Sequence, residues 1–267
     1  MLDIGLHQAS GLHSFTPQAE LRVVAVASQS HGGNGLETVW QMCASLQRLG
    51  LPVVVLDGTA QETEDSPGLL HVLEQAPWGE GTGPHASAHA SAASVAVIPA
   101  ARGLQHLRHQ AHATHCAPLT RLLAYFRAYG MVVLHAPSAT LGPLLTHTTT
   151  TPLIVMEGGS AGVLASYRSI KQIALDTGLH CMVAALLRND TMPQRRKTTA
   201  ALQTLQGCAL RHLGSTVRTT VVATNSHQDI QRLALQLLEN AGTIGASHGA
   251  LPSSHVTDLP GHFVRSH

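Results

Sequence analysis

Residues 29–39 read QSHGGNGLETV, the part of this chain whose residue types and spacing point most directly to chemistry. Glycines at 32, 33 and 35 free the backbone to turn its N–H groups towards an anion, as in loops that cradle phosphate at a helix N-terminus. Gly32, Gly33, Asn34, Gly35, Leu36, Glu37 and Thr38 are therefore candidate nucleotide-binding positions. The loop lacks the lysine that would hold the phosphate. Glu37 adds a carboxylate, which could bind a metal but repels a neighbouring phosphate. A purely structural reading is also open, in which the segment is a glycine-rich strand-to-helix turn with Gly32 and Gly35 supplying unusual φ.

Other groups are weaker. HLRHQAHATHC, residues 106–116, brings His109, His112, His115 and Cys116 close together. His109 and His112 are three apart and could share a helix face, but no second ligand pair at a known spacing answers them. A solvated helix or loop is the better reading, and no metal site is assigned. QRRKTT, residues 194–199, is the strong basic cluster, read as capping or flanking a helix in solvent. Ser160 lies in GGSAG, which lacks the G-x-S-x-G spacing of a nucleophile elbow.

The elements that must position these residues alternate. Apolar, valine-rich strand signals recur at 21–28, 52–57, 94–98, 130–135, 152–156, 180–187 and 215–223. Helical patterns lie between them at 36–49, 67–75, 117–128, 160–177, 195–213 and 226–241. Val39, Met42, Leu46 and Leu49 mark the buried face of the first, and Gly50 closes it as a C-cap. Buried strands alternating with amphipathic helices predict an α/β fold, a mostly parallel sheet covered by helices on both faces. Ligand sites in such sheets lie at the C-terminal ends of the strands, where the glycine loop falls. One domain over 21–241 is expected, with a leader before it and a disordered tail over 242–267. GEGTGPHASAHASAA (79–93) is low-complexity and reads as a loop within the domain.

Composition narrows the function classes. At 267 residues and 44% hydrophobic content the chain can bury a full core. Its apolar runs are too short to span a bilayer, and the N-terminus lacks the pattern of a secretory signal. A net charge of +1 argues against a nucleic-acid footprint or an anionic membrane. Cys43, Cys116, Cys181 and Cys208 are scattered and read as reduced thiols of a cytoplasmic protein. Charged residues make up only 12%, about half the usual share. The 19 histidines outnumber the 16 Lys and Arg, so acid should stress the fold through self-repulsion.

The order of segments resembles the MinD/ParA class of P-loop ATPases. Their K-G-G-x-G-K-[ST]-[ST] loop is matched by His31 to Thr38, and their second strand with its acidic motif by VVVLDGT (53–59). VAVIPAARGLQHL (95–107), AYGMVVLHAPSAT (128–140) and LIVMEGGSAGVLASYRSI follow in the family's order as strand-and-turn, strand, and strand with helix. The resemblance covers roughly 21–241 and implies a P-loop NTPase fold. It also places Leu36 at the phosphate-binding lysine, Glu37 at the Mg²⁺ hydroxyl and His31 at the signature lysine that completes an ATP-bound dimer. Asp57 is kept at the first switch position, Thr59 stands at the second, and His135 replaces the Walker B aspartate. Thr38 survives. Losing one such group costs on the order of 10²–10³ in rate, and several are lost together. The resemblance thus implies an inherited fold whose ATPase activity has decayed. ATP or ADP with Mg²⁺ is the ligand the fold would take, no cofactor is assigned as certain, and nucleotide-driven homodimerisation is not expected.

Ahead of the first strand, DIGLHQASGLHSF resembles the D-Q-A-x-x-L-R activator segment of the FlhG (FleN) flagellar regulators. Gln8, Ala9 and Leu12 match, with His7 and His13 at the charged ends. This resemblance implies a protein partner, the SRP-type GTPase FlhF, and a role in flagellar placement or number. A chance similarity in a disordered leader is the other reading. The tail after Ala241 carries only Arg265 as a cation and no amphipathic period, so membrane docking by the tail is not expected. Alternatives are a working ATP-dependent dimer switch and a MinD-like helper of cellulose synthesis or pilus localisation.

Overall fold

The computed structural model describes residues 20–29, 34–75, 95–114 and 117–245. Eight strands form one sheet: β1 (Glu20–Ser28), β2 (Val53–Asp57), β3 (Ala96–Pro99), β4 (Met131–Pro137), β5 (Leu153–Met156), β6 (Met182–Leu187), β7 (Arg218–Ala223) and β8 (Gly242–Gly245). The order is β3-β2-β4-β1-β5-β6-β7, with every pairing on this path parallel. The helices are α1 (Asn34–Arg48), α2 (Leu69–Glu74), α3 (Ala101–Thr114), α4 (Leu122–Tyr125), α5 (Ser138–Leu144), α6 (Ser160–Thr177), α7 (Met192–Leu213) and α8 (His227–Glu239). This is the expected α/β architecture.

Side chains alternating across the strands feed two cores, and that alternation forces helices onto both faces. Val24 and Val26 of β1 join Val53, Val55, Met131 and Val133 beneath α1 and α8. Val23, Ala25 and Ala27 point the other way, into a larger core closed by α3, α5, α6 and α7. Val39, Met42 and Leu46 of α1 are buried as their spacing predicts, whereas Leu49 is half exposed. Gly50 ends the helix with φ +83°, donating its N–H to Gln47 O at 2.9 Å. Cys43 and Cys181 are buried and Cys208 partly so, all as free thiols, and burial pushes Cys43 and Cys181 up to about 12.

Several boundaries need correction. Gly242–Gly245, assigned to a disordered tail, is strand β8, antiparallel to the start of β1. Ile244 is buried, and a Cβ at Gly242 would stand 2.9 Å from Thr150 N, so glycine permits that approach. The 117–128 pattern is not one helix but a 3-10 turn (Pro118–Arg121) followed by α4. SATLGPL forms α5 although no helix is expected there; it accommodates Pro143 within its last turn. QRRKTT does not flank a helix but lies within α7, which begins at Met192 with Pro193 in its first turn. His109 and His112 are exposed on α3, and among the described residues no group of three or more His, Cys, Asp or Glu could hold a metal ion. No helix among them is long and apolar enough to cross a membrane.

Candidate nucleotide site

The head of β1 lies at the point where the chain's direction of winding switches. From β1 the chain passes to β2 on one side, and β4 is followed by β5 on the other. Loops diverge at such a point and leave room for a ligand at the C-terminal ends of the strands. The candidate loop leads from β1 into α1 there. Gly32, Gly33 and His31 lie outside the described residues, as do Gln8, Ala9 and Leu12 of the leader. Asn34 opens α1. Gly35 lies in its first turn without a positive φ, so the unusual φ expected of it is not what this glycine supplies. Leu36 is partly buried, Glu37 exposed and Thr38 buried.

On the β2–β4 side the structure brings the three predicted switch positions together. Asp57 and His135 are direct register partners at the ends of β2 and β4, on the α1 face of the sheet. Asp57 Oδ1 accepts from His135 Nδ1 at 3.0 Å, from the Thr59 backbone N–H at 3.0 Å and from Thr59 Oγ1 at 2.7 Å. Asp57 is 4% and His135 3% exposed. Burial pushes the Asp57 carboxyl up, but the hydrogen bonds from His135 and Thr59 outweigh it, and the group lies below its usual value. With the Asp57 carboxylate accepting from Nδ1, the other ring nitrogen of His135, Nε2, points away from the pair. That Nε2 is buried without a partner among the described residues, and a Cβ at Gly35 would stand 3.7 Å from it. Ser28 Oγ, at the end of neighbouring β1, is likewise buried and unpartnered. The loop after β2 is fastened by Glu62, whose carboxylate accepts the Arg102 and Gly103 N–H groups, both at 2.7 Å, at the start of α3.

The β5–β6–β7 side is open. A crevice of about 460 Å³ runs from Glu37, Thr38 and Gln41 on α1 to the loops that follow these three strands. Glu157 and Gly158 follow β5, Arg188 and Asn189 follow β6, and Thr224 and Asn225 follow β7. Leu186 supplies an apolar wall. Glu37 Oε1 accepts from Gln41 Nε2 at 2.9 Å, one turn along α1. Asp57, Thr59 and His135 do not line this crevice. The sequence reading found the loop and the switch positions but missed Glu157, Arg188, Asn189 and Asn225. The available signal was position: each lies within two residues of the C-terminal end of a parallel strand.

No protein-family profile matches the sequence, and no curated protein matches it. Solved structures do. Cobyrinic acid a,c-diamide synthase from Mycobacterium smegmatis, with bound ATP analogue and magnesium, superposes with TM-score 0.53 at 18% identity, over 82% of this chain and 95% of that one. The pNOB8 ParA bound to nonspecific DNA gives 0.51 at 14%, over 82% and 99%. The MinD cell division protein of Aquifex aeolicus gives 0.49 at 14%, over 81% and 96%. The mostly parallel sheet, its helical cover and the likenesses to the diamide synthase and the pNOB8 ParA give the chain a MinD/ParA-like P-loop NTPase fold.

Proposed function

We propose that this chain is a regulatory protein of the MinD/ParA class that acts by binding a partner and has lost ATP hydrolysis. The observation that carries this reading is the buried Asp57–His135 pair. At two of the positions where the family resemblance puts acidic groups, a carboxylate and an imidazole are hydrogen-bonded to each other at 3.0 Å, under the first turn of α1. His135 puts an imidazole where the family resemblance has a carboxylate, so the pair offers a metal one carboxylate fewer than that pattern. Leu36 in the loop adds no charge for phosphate, and Glu37 adds the wrong one. The diamide synthase neighbour was solved with an ATP analogue and magnesium bound, which supports a nucleotide as the ligand class, and the strand-end position of the loop into α1 supports placing it there.

The finer reading is a cytoplasmic FlhG-like protein in flagellar placement or number, with residues 3–15 as the segment that engages an SRP-type GTPase such as FlhF. Its support is the match at Gln8, Ala9 and Leu12 together with the MinD/ParA-like fold. Calorimetric titration of the full chain into FlhF tests it. Saturable binding that is lost on deleting residues 1–16 is expected, and no binding by the intact chain sinks the FlhG-like role. Light scattering tests the class-level reading separately: Mg–ATP should leave the oligomeric state unchanged, and an ATP-driven dimer would contradict the lost switch.

A further inference from the structure

We propose that the crevice beside α1 takes an uncharged nucleoside-sized ligand, and that phosphates on that ligand weaken its binding. The inference rests on the placement of the nucleotide site given above and names the ligand class that this chain's residues select. The volume, about 460 Å³, lies in the range of small-molecule sites. The lining is rich in carboxamides: Gln41, Asn189, Gln194 and Asn225 each offer donors and an acceptor. Such groups match the mixed edges of a base and the hydroxyls of a sugar, with Leu186 as apolar surface for a ring.

The charges point against phosphate. Glu37 and Glu157 face the crevice, with Arg188 as the one cation among the described residues of the lining. Glu37 stands in the first turn of α1, tethered by Gln41, so its carboxylate takes the benefit of the helix N-terminus that a phosphate would otherwise have. No Lys or Arg occurs between Arg22 and Arg48, so the loop and α1 as far as Gln47 bring no lysine or arginine, and Arg48 stands at the far end of the helix. On the other side of the loop the buried Asp57 carboxylate accepts from His135 and Thr59 through Oδ1 and does not line the crevice, where it could recruit a bridging metal. A polyphosphate placed at α1 therefore meets two carboxylates and a single guanidinium, whereas a nucleoside meets hydrogen-bonding amides.

Calorimetric titrations of the full chain with adenosine, AMP and ATP, each with and without Mg²⁺, test this directly. Adenosine should bind about tenfold or more tighter than ATP, with AMP between them and the order unchanged by Mg²⁺. Glu37→Gln should shrink the adenosine-to-ATP affinity ratio by about threefold or more, with circular dichroism matching the parent. ATP or Mg–ATP binding as tightly as adenosine, or no saturable binding of adenosine, overturns the proposal. Tight Mg–ATP binding without phosphate release would overturn this inference and leave the lost-ATPase reading standing. Phosphate release would overturn that reading whatever the affinity order.

Discussion

The two sides of β1 finish differently. Towards β4 and β2, the strand ends carry Asp57 and His135, a buried hydrogen-bonded pair. Towards β5, β6 and β7, the strand ends open into a polar crevice that reaches α1. The resemblance to MinD/ParA ATPases implies that both sides should serve one nucleotide, one side through metal and switch groups and the other through loop contacts. Here one side is an open crevice and the other holds a buried hydrogen-bonded pair. On the proposed reading, a fold retains a binding crevice after the polar groups for catalysis have become part of its own packing, because burial and hydrogen bonding stabilise the pair without any ligand.

The largest way to break this contrast is to open the closed side. His135→Ala should destabilise the protein by about 3 kcal/mol or more, since it leaves a buried carboxylate short of a partner and a cavity beside it. Denaturant unfolding measures it; a change under 1 kcal/mol would mean that the pair contributes little. Thr59→Ala removes one hydroxyl from Asp57 Oδ1 and should cost about 1 kcal/mol in the same measurement. Acid sharpens the comparison further. The folded Asp57 carboxyl lies below its usual value, so its contribution is full above about pH 4, the unfolded-state value, and fades as pH falls through the folded one. Stability measured from pH 5 downward should therefore fall less steeply in Asp57→Asn than in the parent; equal slopes would assign the acid sensitivity elsewhere. On the open side effects should be smallest: Asn225→Ala, at an exposed position, should stay within about 0.5 kcal/mol of the parent.

The sheet was legible because its strands are short valine-rich runs with apolar side chains feeding both faces, and α1 because Val39, Met42 and Leu46 repeat at helical spacing. What escaped has local causes. In α5, Gly142 and Pro143 argue against a helix, yet Leu141 and Leu144 are buried by tertiary packing and Gly142 admits the close approach of Asp176. In β8 two of four residues are glycine, which hides a strand held by pairing with β1. At the site, Asp57, Thr59 and His135 were marked by the family resemblance, but only the register of β2 on β4 and the turn after β2 show that His135 and Thr59 both bond to Asp57. Glu157, Arg188 and Asn225 come from three separate loops, and no spacing in the chain links residues that meet only when parallel strands align.

The central claim is that this fold no longer turns over ATP, and continuous phosphate-release kinetics on the full chain with Mg–ATP test it most directly. The rate should be indistinguishable from a buffer blank in the parent and in Thr38→Ala alike. Turnover in the parent that disappears in Thr38→Ala would contradict the account and show a working site beside α1.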